Sequence, residues 1–282
     1  MGEYLTTKSG RTLYIHDTPG GDRGTIIAAH GLTGNHKQLH YYQEAFLENY
    51  RFISYDILGR GNSDKADPDT SIYTHTDDFI DLIKTLKIER PILMGYSMGA
   101  YICAITASRL SNVEALILLD GAGEANETTR DLVIPSLSRL EKSYSSQEAY
   151  VKETKNLYQN LNIHWDSKLE EIARYEVKQD GSQWTHKSDY ALTKQDFESL
   201  YSFDPRTVCS SISCETLLII AAGAMKNNKA LFKEEAFNDT KKHISRLQTE
   251  RTPVNHYELV FNKQPKVLEH IQHFLANGGV KS

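Results

Sequence analysis

A serine stands between two glycines in the stretch Gly95-Tyr96-Ser97-Met98-Gly99. The apolar run PILM precedes it and the run AYICAI follows it, which indicates a buried strand, a tight turn and a helix. Such a turn presents a serine hydroxyl at the carboxyl end of a sheet, and small flanking residues let strand and helix pass closely. The context therefore predicts that Ser97 is a nucleophile rather than only a turn residue.

A nucleophilic serine needs a general base and N–H donors that stabilise the oxyanion formed by its attack. The best candidate base is His256 in PVNHYELV, because it follows the last expected strand and histidine ordinarily titrates near neutral pH. The loop AAHGLTGNH leaves an earlier strand, so we expect the backbone N–H groups of Leu32 and Met98 to be the oxyanion donors. A plain glycine turn is the alternative for this loop. Gly31 and Tyr96 are the predicted substrate-binding residues.

Apolar runs typical of strands alternate with amphipathic helical patterns along most of the chain. Near-continuous apolar strands indicate a parallel sheet covered on both faces, and the alternation with helices indicates an α/β fold. An N-terminal hairpin with Ser9-Gly10 as its turn is also predicted. The remaining strand-like runs are at 25–31, 51–57, 91–97, 113–120, 216–223 and 244–251.

The stretch 123–212 interrupts this alternation. It is polar, shows helical periodicity and carries Trp165, Trp184 and many tyrosines. With roughly 90 residues it is too long for a simple loop. We therefore predict a helical cap inserted into a core formed by 1–122 and 213–282, and its aromatic residues favour a partly apolar substrate pocket. Two or three ordinary crossover helices with long loops are the alternative.

The chain resembles the α/β-hydrolase family in the order of its motifs. These are His30-Gly31 after a strand, YDILGRGNSD at 55–64, the Ser97 pentapeptide and the late His256. In YDILGRGNSD, Leu58 stands where the family usually has arginine. The resemblance implies an α/β-hydrolase fold: a mostly parallel eight-stranded sheet whose second strand is antiparallel, flanked by helices, with a helical cap between strands six and seven. It also implies Ser–His–acid chemistry with no cofactor.

The acid that should orient His256 is missing from its usual place. Most of the family has an aspartate or glutamate just after strand seven, where this chain reads IIAAGAMKNNK. Asp120 ends strand six, beside the strand of the nucleophile, and neighbouring strands lie about 4.8 Å apart. Some relatives carry the acid there, so we predict Asp120 as the acid. Glu124 and Glu234 remain alternatives, and Asp120 could instead only cap its turn.

Composition excludes several other classes of protein. The 282 residues carry a formal net charge of −5, which offers no basic surface for nucleic acid. The chain has no run of ~18 apolar residues, so we expect no membrane span, and because the N-terminal stretch lacks an apolar segment we expect no secretory signal. The three cysteines do not suit a disulfide framework, and Cys209 and Cys214 lack the companions that a zinc site needs. We expect a cytoplasmic protein with no metal that is a monomer or homodimer.

These features predict a cofactor-independent serine hydrolase that cleaves carboxylic ester or lactone bonds of a small, partly apolar substrate through an acyl-enzyme. A carbon–carbon bond hydrolase with the same triad is one alternative. A non-catalytic small-molecule binding protein on the same scaffold is another, favoured by the unusual end of strand seven.

Overall fold

The computed structural model describes residues 2–225 and 229–279. Its strands are β1 Gly2–Thr6, β2 Thr12–Thr18, β3 Thr25–Ala29, β4 Arg51–Tyr55, β5 Pro91–Tyr96, β6 Ala115–Leu119, β7 Ser143–Tyr144, β8 Val177–Asp180, β9 Gln183–His186, β10 Glu215–Ala221 and β11 Leu247–Thr252. Its α-helices are α1 His40–Phe46, α2 Ile72–Thr85, α3 Met98–Arg109, α4 Glu127–Leu137, α5 Gln147–Gln159, α6 Ser167–Glu176, α7 Tyr190–Ser199, α8 Pro205–Ser210, α9 Asn238–His243, α10 Glu258–Phe261 and α11 Pro265–Phe274. Short 3₁₀ helices at Ser138–Glu141, Leu200–Ser202 and Glu234–Phe237 and a π-helical turn at Leu275–Gly279 complete the elements.

The central sheet has eight strands in the order β1-β2-β4-β3-β5-β6-β10-β11. Strand β2 pairs antiparallel with β1 and β4, and every other pair is parallel. The β1–β2 hairpin turns at Gly10, whose φ of 85° lies in the region that glycine enters without strain. The predicted mostly parallel sheet, with its antiparallel second strand, is confirmed.

Helices cover both faces of this sheet, which explains why its inner strands read as continuous apolar runs. Helices α2 and α3 pack on one face, and α1 and α11 pack on the other. Helix α3 is buried from Met98 to Ala107. Because α3 is enclosed on nearly all sides, the turn that joins β5 to it is held firmly at the carboxyl edge of the sheet.

The segment 123–212 contains α4 to α8 and also a small antiparallel sheet in the order β7-β9-β8. The segment is thus mainly helical, and its small sheet is a feature that the sequence patterns did not predict. Strands β8 and β9 were missed because they are short and polar, with most residues of β8 exposed. The signal that could have revealed them is the tight Gly181 turn, since Asp180 pairs with Gln183.

Helix α8 at the end of this segment packs against α3 of the core. The boundaries of the cap stay a prediction. In the part of the chain that the structure describes, no helix is both long and apolar enough to cross a bilayer.

Candidate active site

Ser97 lies at the apex of the turn between β5 and α3. Its φ of 53° and ψ of −119° are a strained combination for a residue with a side chain. Close packing explains the two glycines around it. A Cβ at Gly95 would come within 2.2 Å of the Gly99 carbonyl oxygen, and a Cβ at Gly99 within 2.1 Å of the Ala29 carbonyl oxygen. The two glycines therefore allow the tight turn that holds Ser97 in a strained conformation, with its hydroxyl facing the cavity.

Ser97, His256 and Asp120 form one hydrogen-bonded row. His256 Nε2 lies 3.1 Å from Ser97 Oγ, and His256 Nδ1 lies 2.6 Å from Asp120 Oδ2. An ionised carboxylate only accepts hydrogen bonds, so Nδ1–H donates to Asp120 and Nε2 is left to accept the serine proton. His256 and Asp120 are 3% and 0% exposed, respectively, so water competes little for these bonds.

Asp120 directly follows β6, which pairs with β5 on one side and β10 on the other. Its second carboxylate oxygen accepts the backbone N–H of Ala221 at 3.0 Å, which fixes the side chain toward His256. The alternative acids lie elsewhere. Glu124 is exposed, and the exposed Glu234 pairs with Lys241 at 3.1 Å. The structure therefore brings Asp120 to the histidine.

The loop after β3 is held by His30 so that one peptide N–H is available. His30 Nε2 accepts the N–H of Ile57 at 3.0 Å, so its Nδ1–H donates to the Gly31 carbonyl at 2.7 Å. In a trans peptide the N–H points opposite to the C=O, so the Leu32 N–H points away from His30. Leu32 and Ser97 line the same cavity. We infer that this N–H faces the place where an oxyanion would form.

Met98 is suited to supply the second donor because it is the first residue of α3. Its N–H has no acceptor one helical turn earlier, and the positive end of the helix dipole favours negative charge there. The Gly31 N–H, by contrast, is already bound to Gln38 Oε1 at 2.7 Å. The geometry therefore fits Leu32 and Met98 as the donor pair.

We expect His30→Ala to lower kcat by about 10- to 100-fold, somewhat less than the loss of an oxyanion donor itself. Steady-state kinetics on an ester should show the loss mainly in kcat, because the Leu32 N–H would act on the transition state. An unchanged kcat in a folded variant would contradict this role.

The pH dependence of unfolding checks independently that His30 is buried and resists protonation in the native state. Burial lowers the pKa of His30 to about 4, so the native state resists its protonation. The unfolded chain takes up that proton near pH 6.5, so wild-type stability should fall as the pH drops from about 6.5 to about 4. The fall should be smaller in His30→Ala.

Arg60 connects the loop after β3 to the segment 123–212. No sequence pattern predicted a role for this arginine. Its Nε donates to the Leu32 carbonyl at 2.9 Å, and its Nη1 forms an ion pair with Asp196 of α7 at 2.6 Å. Asp196 also accepts from Thr70 at 2.6 Å and lies 3.0 Å from His75 Nε2. Arg60 and Asp196 are almost completely buried. The network therefore ties α7 to the residue that is expected to hold the oxyanion.

Gly31 and Tyr96 both line the cavity at Ser97. The hydroxyl of Tyr96 is not free for a substrate, because it donates to the His256 carbonyl at 2.9 Å. The Tyr96 ring stacks on the His256 ring with centroids 4.8 Å apart. Tyr96 thus supports the histidine and offers only part of its ring to the cavity.

The cavity above Ser97 is small, with a volume of about 60 Å³, and it is open in part to solvent. About half of its lining comes from helix α4, helix α7 with the short helix after it, and the residues before the 3₁₀ helix at 234–237. That wall is mainly apolar: Val133, Leu137, Phe197, Leu200, Leu231 and Phe232. Trp165 and Trp184 do not line it and pack elsewhere. The cavity therefore offers a small, mostly apolar space beside Ser97.

Comparison with known proteins matches residues 24–154 to the family model described as the alpha/beta hydrolase fold. The AB hydrolase superfamily protein YisY of Bacillus subtilis (strain 168) is 37% identical over 128 residues, which cover 44% of this chain and 47% of that protein. The (E)-2-((N-methylformamido)methylene)succinate hydrolase of Acinetobacter baylyi is 26% identical over 182 residues, covering 63% and 64%. These matches span about half to two thirds of the relatives' lengths.

Among solved structures, that of E-2-(acetamidomethylene)succinate hydrolase superposes with a TM-score of 0.85 and 18% sequence identity. The superposition covers 98% of this chain and 99% of that one. At this identity the likeness concerns the fold.

Proposed function

The chain has the α/β-hydrolase fold, as its sequence predicted, and we propose on that premise that it is a serine hydrolase of small carboxylic esters or lactones. The observation that carries the proposal is the hydrogen-bonded row from Ser97 through His256 to Asp120, at 3.1 Å and 2.6 Å. The hydrolase names of the relatives agree with this class of reaction.

In the proposed reaction, Ser97 Oγ attacks the carbonyl carbon and its proton passes to His256 Nε2. Asp120 stabilises the imidazolium that forms, and the N–H groups of Leu32 and Met98 bind the oxyanion. Collapse breaks the acyl–oxygen bond, and His256 returns the proton to the leaving alkoxide. Water then attacks the acyl-enzyme by the same route. The sum is one ester and one water giving one acid and one alcohol.

Two features support catalysis over simple binding of a ligand. Ser97 is held in a strained conformation at a helix N-terminus, which a binding site lined mainly by apolar side chains does not need. The histidine beside it is fixed from three directions: by Asp120, by Ser97 and by the Tyr96 hydroxyl on its carbonyl.

A fluorophosphonate probe tests the proposal directly, because it reacts with serines that a neighbouring base activates. We expect one covalent adduct on the peptide that carries Ser97, and none in Ser97→Ala. We also expect wild-type protein to release acid from ethyl butanoate or γ-butyrolactone in a pH-stat assay.

Ser136→Ala is the matched control. Ser136 lines the same cavity, but its hydroxyl donates to the Val133 carbonyl at 2.7 Å, and among the described residues no histidine is hydrogen-bonded to it. This variant should be labelled like wild type. Absence of both the adduct and Ser97-dependent turnover would overturn the proposal, and cleavage of only carbon–carbon substrates would replace it with the other hydrolase reaction.

A further inference from the structure

The wall of the cavity at Ser97 contains a hydroxyl group that no other part of the described chain uses. Tyr257 directly follows His256 in the sequence and lines the same cavity as Ser97. Among the described residues, no group forms a hydrogen bond with the Tyr257 hydroxyl. The residue is partly buried, and its hydroxyl is not one of the oxygens that are closed off from solvent. This phenol is therefore available to a molecule that enters the cavity.

Aromatic neighbours hold the ring of Tyr257 in place. Its centroid lies 5.5 Å from that of the His256 ring, with the two planes at 82°, and 6.5 Å from those of Tyr158 and Phe261. Burial raises the pKa of the Tyr257 phenol, although the charge of Arg139 opposes this shift. The hydroxyl thus stays protonated as a donor, and little entropy is lost when a fixed ring binds a ligand.

The other polar groups of the wall differ from Tyr257 in how far the protein uses them. Three side-chain hydroxyls donate to backbone carbonyls: Tyr96 to His256, Thr129 to Leu231 and Ser136 to Val133. Gln38 accepts the Gly31 N–H through Oε1 at 2.7 Å, which directs its Nε2 elsewhere, and within the described chain this Nε2 forms no hydrogen bond. Gln38 is only 6% exposed and lines the cavity. Tyr257 and Gln38 therefore both offer unused donors.

Unused donors in a small cavity select the chemistry of its ligand. A purely aliphatic substrate would displace water from the Tyr257 hydroxyl and leave this donor without a partner, which costs free energy. A substrate with an oxygen acceptor at that place avoids the cost. Because both donors are neutral, an uncharged oxygen suits them better than an ionised group, whose removal from water is far more costly.

We propose that the Tyr257 hydroxyl donates to a second, uncharged oxygen of the substrate, with Gln38 Nε2 as a supporting donor. The protein would then prefer esters or lactones that carry an oxo, ether or hydroxyl group near the scissile bond over purely aliphatic ones. The inference rests on the proposed function. A ring that only packs beside His256 predicts a different result, because phenylalanine would then serve equally well for every substrate.

Matched esters test the role of the hydroxyl. Ethyl levulinate against ethyl pentanoate places the extra oxygen in the acyl part, and methoxyethyl acetate against butyl acetate places it in the alcohol part. We would compare kcat/KM between wild type and Tyr257→Phe for each ester, which cancels differences in intrinsic reactivity. Tyr257→Phe should lower kcat/KM about 3- to 10-fold for the oxygenated member of at least one pair, as expected for one neutral hydrogen bond, and change the aliphatic member less than about twofold.

Tyr158→Phe is the matched control, because the Tyr158 ring contacts that of Tyr257 but does not line the cavity. It should leave both members of each pair unchanged. Tyr96→Phe should instead lower kcat for both members alike, since its hydroxyl supports the His256 carbonyl. Equal effects of Tyr257→Phe on both members of both pairs, or no effect on any ester, would overturn the inference.

Binding without turnover separates this inference from the proposed function. The same four esters would be titrated into Ser97→Ala and followed by NMR. Tighter binding of an oxygenated ester than of its aliphatic partner, lost in Ser97→Ala/Tyr257→Phe, would support the site even if wild type hydrolysed none of them. If no ester is hydrolysed, equal dissociation constants in the two proteins would overturn the inference. Turnover that depends on Ser97 but not on Tyr257 would leave the proposed function standing alone.

Discussion

Replacing Asp120 by asparagine is expected to lower kcat about 10⁴-fold, the effect known for loss of the acid from a serine triad. Asparagine keeps the size of the side chain and also tolerates the left-handed backbone at this position, where φ is 48°. It removes the charge that stabilises the imidazolium. Its amide can also donate to Nδ1 of His256, which would hold the proton on Nε2 and block acceptance from Ser97.

The measurement is kcat on an ester that wild type hydrolyses, with circular dichroism to verify folding. Glu124→Gln and Glu234→Gln are the controls, because both glutamates are exposed, away from the row through His256. We expect both to stay within about twofold of wild type, as is usual for exposed positions. A near-normal kcat in Asp120→Asn with a large loss in either glutamate variant would reassign the acid.

Removing Arg60 is expected to give the largest loss of stability. The ion pair with Asp196 is 2.6 Å long, and both side chains are at most 1% exposed. Arg60→Met leaves the Asp196 charge buried without its main partner, which typically lowers the free energy of unfolding by about 3–5 kcal/mol. The double variant Arg60→Met/Asp196→Leu should recover much of this loss, because neither charge is then left alone.

Chemical denaturation at several pH values checks this prediction. Burial alone raises the pKa of Asp196, but the charge of Arg60 and bonds from His75 and Thr70 overcome it and hold that pKa well below its usual range. This contribution is therefore complete above about pH 4–5 and is lost as the pH falls further. The free energy of unfolding of wild type should therefore decrease relative to that of the double variant as the pH falls through this range. Additive effects of the two single changes would show that the pair is not coupled.

Sequence alone identified those features that depend on short stretches of chain. The strand–turn–helix around Ser97, the glycine loop after β3 and the alternating apolar runs each follow from local backbone preferences and hydrophobic periodicity. The position of Asp120 needed one further step, the expectation that β6 lies beside β5, and the structure has this order. Its catalytic role stays a prediction.

Tertiary structure alone decided the contacts between distant segments. No local pattern ties Arg60 to Asp196, Arg139 to Thr33 or the Tyr96 hydroxyl to the His256 carbonyl. Such pairs form only when packing brings remote stretches together, and their energies depend on the burial that this packing creates. Periodicity reports which face of an element is buried, but not which buried polar groups will meet. The reacting row could therefore be inferred from the sequence, whereas its supports required the folded chain.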